Sequence, residues 1–294
     1  MTAAASIDAR VVLVGDAPLV EAARARLSSE GGSARVYDAP LSSIGPSTFG
    51  PTEVAVVLVQ PNDEDRAVAA LRAARPAAGA VVVVDEGPAA RHAVSWYDKQ
   101  LGRVSFSDSE AGWSRVWEAL IEAVGDHVIP LGRRYAVLRP YASEAVIRKT
   151  SRQNGVIGVV FVIPGTDMPL MTINQIKMVL ALAAIHGEEI TYDRAVELLG
   201  VIGLGFGLRT VARQALDVVP GFGWAVKGAV AYTGTRAMGE GALRYFQAGA
   251  PAASTRLRGL IAGQSKLKEA AAHVQQYAGT TPNRLAGVAK RIKR

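Results

Sequence analysis

The sequence predicts two fold classes in one chain, an α/β domain followed by an all-α one. Three observations predict this. Short valine-rich runs alternate with amphipathic stretches up to residue 128. From residue 155 the chain becomes apolar and glycine-rich, and that alternation stops. Charge divides along similar lines. Residues 1–130 hold 11 Lys/Arg against 17 Asp/Glu, residues 131–251 hold 13 against 8, and residues 252–294 hold 9 against 1. The result is an acidic head, a mildly basic middle and a tail that carries the excess positive charge.

Arg10 to Asp16 ("RVVLVGD") is a buried strand. A helix follows from Pro18, with Leu19, Ala23 and Leu27 on one face and a stop at Gly31-Gly32. "ARVYD" is a short second strand, Glu53 to Gln60 a third, Ala80 to Gly87 a fourth and Arg103 to Asp108 a fifth. The stretch after Asn62 and Asp63 reads as a helix with acids in its first turn. Trp113, Val116, Trp117, Leu120 and Val124 mark the apolar face of the closing helix. Continuous valine runs between helices predict a parallel sheet covered on both faces. Residues 8–128 are therefore expected to form a five-stranded doubly wound domain.

The order of elements in the head resembles a small GTPase domain, but the residues do not. A phosphate-binding loop needs G-x-x-x-x-G-K-[ST]. After the first strand, Val20 stands for the second glycine, Glu21 for the lysine and Ala22 for the hydroxyl. Gln60 to Asp63 replaces D-x-x-G, and Asp85 to Pro88 replaces the guanine-reading N-K-x-D. The head is expected to be a degenerate GTPase-like domain or another flavodoxin-like fold, without nucleotide hydrolysis. A receiver reading fails because no aspartate ends the third strand.

Residues 129–154 are expected to form a linker helix and residues 155–250 a helical domain. The motifs "IPGTDMPLMTINQIKMVLALAAIHG" and "VELLGVIGLGFGLRTVARQALDVVPGFGWAVKGAVAYTGTRAMGEGALRYF", in that order, make this region similar to the DUF697 family. The resemblance covers roughly residues 140–247. Members occur alone or behind Era-like GTPase domains, so it implies a GTPase relic in the head. It implies no chemistry.

A membrane-spanning helix needs about 20 consecutive apolar residues. Gly155 to Ile163 supplies nine before Pro164-Gly165-Thr166-Asp167 interrupts. Ile176 to Ile185 is also short, and Pro220 and Lys227 break Val218 to Thr233. No segment is a clean span. Three readings stay open: a compact all-α core, a helical hairpin dipping into the membrane interface, or an oligomer or partner surface. Closely spaced glycines favour tight helix contact, which must offset about 1 kcal/mol of helix propensity per glycine.

Pro164, Asp167, Gly187, Pro220, Gly221 and Gly223 are read as turns or caps. Asp167 would cap a helix starting near Met168, and Gly187 would follow the C-terminal His186. Asp193, Glu197 and Asp217 could pair with Arg209 and Arg213. The four histidines (His92, His127, His186, His273) show no metal spacing. With no cysteine in the chain, disulfides and thiolate chemistry are excluded. No catalytic residue, cofactor or metal site is expected.

Residues 251–294 read as a basic tail, helical or partly disordered. In its last stretch Leu285, Val288 and Ile292 share one face, with Arg284, Lys290, Arg291, Lys293 and Arg294 around it. A basic amphipathic helix suits an anionic membrane surface or an acidic partner. With Tyr277 as the tail's only aromatic residue, nucleic acid is not the expected partner. The leading expectation is a non-enzymatic, membrane-associated scaffold or adaptor whose head binds a protein, either a GTPase or a second copy. One alternative is a nucleotide-dependent switch using a pocket at Gly15, Asp16 and Asp85. Another is a cytosolic oligomeric structural protein. No signal peptide is read at the start, so the expected place is the cytoplasm, on the cytoplasmic face of the inner membrane.

Overall fold

The computed structural model describes residues 9–28, 31–160, 168–192, 195, 198 and 223–249. The chain divides into two compact units, Met1–Gln247 and Ala248–Arg294. The sheet and the helices described below all belong to the first. Pro164, Asp167, Pro220, Gly221, the candidate ion pairs of Asp193, Glu197 and Asp217 with Arg209 and Arg213, and the tail surface from Arg284 to Arg294 lie outside the described residues.

The sheet has six strands, not five. They are β1 (Arg10–Gly15), β2 (Arg35–Tyr37), β3 (Glu53–Val59), β4 (Ala80–Asp85), β5 (Val94–Trp96) and β6 (Leu101–Phe106), in the order β2-β1-β3-β4-β6-β5. All pairs are parallel except β5 with β6. The extra strand is three residues long, too short to show a period. It is held by its partner: Trp96 opposes Gly102, whose missing side chain leaves room for the indole.

Three helices belong to the head: α1 (Ala17–Leu27), α2 (Glu64–Ala74) and α3 (Glu110–Ala123). Val11 and Leu13 face one side of β1 while Val12 and Val14 face the other, which is the two-residue period of a strand. The first side packs on Leu19, Ala23 and Leu27 of α1 and on Trp113, Val116, Trp117 and Leu120 of α3. The second packs on Ala67, Val68 and Leu71 of α2. Burial on both faces explains the unbroken valine runs. Phe106 meets Trp113 edge-on at 4.8 Å, and Trp113 stacks on Trp117 at 5.4 Å, so the aromatic residues anchor α3.

Further helices among the described residues include α4 (Val128–Arg134), α5 (Arg139–Val160), α6 (Met168–Ile185) and α7 (Gly223–Gln247). α5 is one continuous helix and runs through Asn154-Gly155 without a break. Leu131, Tyr135, Leu138 and Ala142 join the core beneath the first sheet face. The buried Tyr135 hydroxyl accepts from the Val11 N–H (3.0 Å) and donates to the Ser33 carbonyl (3.1 Å). It bridges β1 and the approach to β2, satisfying main-chain groups there.

α6 ends as its glycine demands. Gly187 has φ +82°. Its N–H donates to Ala184 O (3.1 Å) and the Glu188 N–H to Ala183 O (2.9 Å), the paired closure of a Schellman turn. α5 and α7 meet through glycines. A Cβ on Gly228 would stand 2.5 Å from Val159, and one on Gly239 would stand 2.8 Å from Ile147. Across this contact Arg236 clasps Glu144 with two hydrogen bonds (2.9 and 3.3 Å).

Candidate functional site

Doubly wound sheets bind ligands beyond the carboxyl ends of their strands, where the strand order reverses. Here that point lies at the ends of β1 and β3, because β2 and β3 flank β1 on opposite sides. Gly15 ends β1 with φ +118°, and a Cβ there would meet Leu58 O at 1.9 Å. Asp16 donates its N–H to the same carbonyl (2.9 Å). Its carboxylate does not cap α1; it accepts from Gln60 Nε2 (2.7 Å), so the two loops are joined at this crevice. Asp85 accepts the Gly87 N–H (3.1 Å) and thereby closes its own turn. Glu21 pairs with Arg24 (3.1 Å). Of the pocket suggested by the sequence, Gly15 and Asp16 stand at the switch point, and Asp85 serves a neighbouring loop. Among the described residues, no group of His, Asp or Glu side chains is arranged to hold a metal ion.

A second polar cluster was not legible in the sequence. Arg103 on β6 makes two hydrogen bonds to Glu64 (2.9 and 3.2 Å) and one to Glu86 (2.6 Å). Tyr97 donates to Glu64 (2.8 Å), and Ser105 donates to Glu86. The Arg103 hydrogen bonds hold the Glu64 carboxyl below its ordinary value, while Ser105 and then Arg103 do the same for Glu86. Burial, then the Glu64 hydrogen bond, raises the Tyr97 phenol. Both carboxylates are kept ionised, so neither is tuned to act as a general acid. The cluster fastens the start of α2 to the β5–β6 hairpin and to the loop after β4. Its members are spread over 42 positions, and no local spacing links them.

Among the described residues two serine–histidine pairs stand at the limit of hydrogen-bond distance: Ser107 Oγ with His92 Nε2 at 3.4 Å, and Ser143 Oγ with His186 Nε2 at 3.5 Å. Ser143 has no exposed surface. Burial first and Arg139 second push the His186 imidazole below its ordinary value, and its ring lies against Phe246 with centroids 6.2 Å apart. This is a packing arrangement at the base of the helical hairpin.

The opposite end of that hairpin is different. Val156 and Val160 on α5 are 61% and 63% exposed, and Leu170 and Ile173 on α6 are 45% and 43% exposed. They flank residues 161–167, which read "FVIPGTD". Spacings of four and three residues put each pair on one helix face. Beneath them lies a polar layer. Buried Asn154 donates to Thr235 Oγ1 (3.0 Å) and to Met171 O (3.3 Å), and accepts from Asn174 (2.9 Å). Gln175 also donates to Thr235 (3.3 Å). Three helices are thus registered by one hydrogen-bonded layer just below an exposed apolar tip. Among the described residues no helix is long and apolar enough to cross a membrane.

Of the predicted turn residues, Gly187 closes α6, and Gly223 is the first described residue of α7. Comparison of the chain with models of known protein families, with curated proteins and with solved structures finds no match.

Proposed function

We propose that this chain is a non-enzymatic scaffold or adaptor that associates with a membrane surface through the α5–α6 tip, its head serving to bind a protein partner. The observation that carries this reading is the set of exposed aliphatic side chains at the tip, on both sides of a strongly apolar connecting sequence. Apolar patches of this kind mark membrane or partner contacts. Fully burying one such side chain is worth about 1.5–3 kcal/mol, so four half-exposed ones would contribute roughly 3–6 kcal/mol on entering the acyl boundary. A single insertion gives marginal binding, and stable anchoring takes a second signal. The tail, with nine basic residues against one acid, supplies charge for an anionic leaflet.

The head enters this proposal as a binding module. Its strand order is of the flavodoxin-like type, with the reversal beside β1. That favours the flavodoxin-like side of the sequence reading over the GTPase-like one. Glu21, facing where a phosphate-binding lysine would stand, supports a head that does not hydrolyse GTP. The DUF697 resemblance supports the helical half as a module that works beside a GTPase-type partner.

Cell fractionation tests the proposal. The protein is expected in the membrane pellet, weakened but retained at high salt, and released by alkaline carbonate, as for a surface-bound protein. Recovery in the soluble fraction at low salt would contradict it.

A further inference from the structure

A cleft of about 420 Å³ opens between α1 and the end of β2, at the carboxyl edge of the sheet. It lies on the β2 side of the switch point. Its walls include Gly15, Val20, Glu21, Val36, Asp38 and Pro40. Its volume falls in the range of small-molecule sites.

Three features give the cleft a chemical character. Val36 is 38% exposed, an apolar side chain left open on an edge strand. It shares a sheet face with Asp38, two residues on. The Asp38 side chain is exposed and makes no hydrogen bond or ion pair among the described residues. The outer wall is fixed: Ser43 donates to Pro40 O (2.6 Å), and Tyr37 reaches Ser43 with its hydroxyl at 3.3 Å.

In dinucleotide-binding doubly wound sheets, whose strand order differs from this one but also sets the second strand beside the first, a glycine turns the chain after the first strand. An acidic side chain about 20 residues on, ending the second strand, takes the ribose hydroxyls. Gly15 and Asp38 stand 23 residues apart in these two places. The other two glycines of such turns let the backbone approach the pyrophosphate and the helix pack closely. Here Ala17 and Val20 occupy those positions. Pro18 removes one N–H from the first turn of α1, and Asp16 and Glu21 add negative charge. Of that pattern the first glycine and the acidic residue are present, and the two further glycines are not.

We propose that this cleft binds a ribonucleoside lacking phosphates, with Asp38 accepting hydrogen bonds from the ribose hydroxyls and Val36 lining the base. The proposal is independent of the membrane reading.

Calorimetry on the full chain with adenosine as the probe tests it. Adenosine is expected to bind saturably. 2′-Deoxyadenosine should bind about tenfold or more weakly, because one hydroxyl donor to a charged acceptor is gone. ADP should bind no more tightly than adenosine, since added phosphate meets carboxylates. Asp38→Asn should weaken adenosine by a similar factor and leave the unfolding midpoint unchanged, the side chain being exposed. Ala39→Trp, which fills the cleft from its rim, should abolish binding in a folded protein. The proposal is overturned by no saturation at millimolar adenosine. It is overturned equally by the same affinity for the deoxy analogue, by ADP binding tighter than adenosine, or by binding indifferent to Asp38→Asn and Ala39→Trp.

Discussion

Tyr135 shows how single residues tie the two halves together. Its hydroxyl is buried and shared between the Val11 N–H and the Ser33 carbonyl. Tyr135→Phe keeps the ring but leaves a buried donor and a carbonyl without that partner. The expected loss is about 1–3 kcal/mol of stability, the cost of an unsatisfied buried polar group. Urea unfolding should show a lower midpoint at unchanged slope, and an unaltered midpoint would contradict this role. The tyrosine was invisible in the sequence, because its partners lie 124 and 102 residues away. Gly187 was legible, because a glycine after a helix has a local reason to be there. The departure from a phosphate-binding loop is a matter of sequence alone, since Glu21 stands where such a loop has its lysine.

At the scale of elements, the polar cluster on β6 predicts a pH dependence. Glu64 and Glu86 both have folded values below the ordinary 4.5. A carboxylate depressed by folding contributes stability that is present above its unfolded value and lost as pH falls through its folded one. Stability should therefore hold from neutral pH down to the ordinary carboxyl range and fall below it. Glu64→Gln should flatten part of that fall when unfolding free energy is followed from pH 7 to pH 3. A fall identical to that of the unaltered protein would remove Glu64 from the account. β5 depends on this cluster and on pairing with β6, which explains why its own three residues gave no signal. The parallel strands were legible for the opposite reason. Each is a run of valines buried on both faces, a property written into the local sequence.

The glycines of α7 offer a paired test. In an exposed helix, alanine is better than glycine by about 1 kcal/mol. At Gly234 a Cβ would meet nothing within 4 Å, so Gly234→Ala should stabilise by roughly that amount. At Gly239 the Cβ would stand 2.8 Å from Ile147 and 3.0 Å from the Met178 sulfur. Overpacking costs about 1–3 kcal/mol and exceeds the propensity gain, so Gly239→Ala should destabilise. Thermal unfolding of the two variants should move in opposite directions. Movement in the same direction would mean that close approach does not decide the α5–α7 contact. The sequence pointed to tight glycine contacts in general but not to which glycines make them. The facing positions on α5 lie dozens of residues away.

For the whole molecule, the central claim is that one end of the helical hairpin is built to leave water. The Asn154 layer registers α5, α6 and α7, and the aliphatic side chains at the adjoining ends of α5 and α6 are open. The most direct measurement is flotation of the full chain with phosphatidylglycerol vesicles, comparing it with a variant carrying Val156→Ser, Val160→Ser, Leu170→Ser and Ile173→Ser. These residues are only half-exposed, so circular dichroism must first show that the variant is folded at the temperature of the flotation. The account predicts that the unaltered protein floats and that the variant loses about tenfold or more of its binding, with the remainder sensitive to salt because it rests on the basic tail. A folded variant that floats as well as the unaltered protein would contradict the claim, and so would an unaltered protein that stays at the bottom of the gradient.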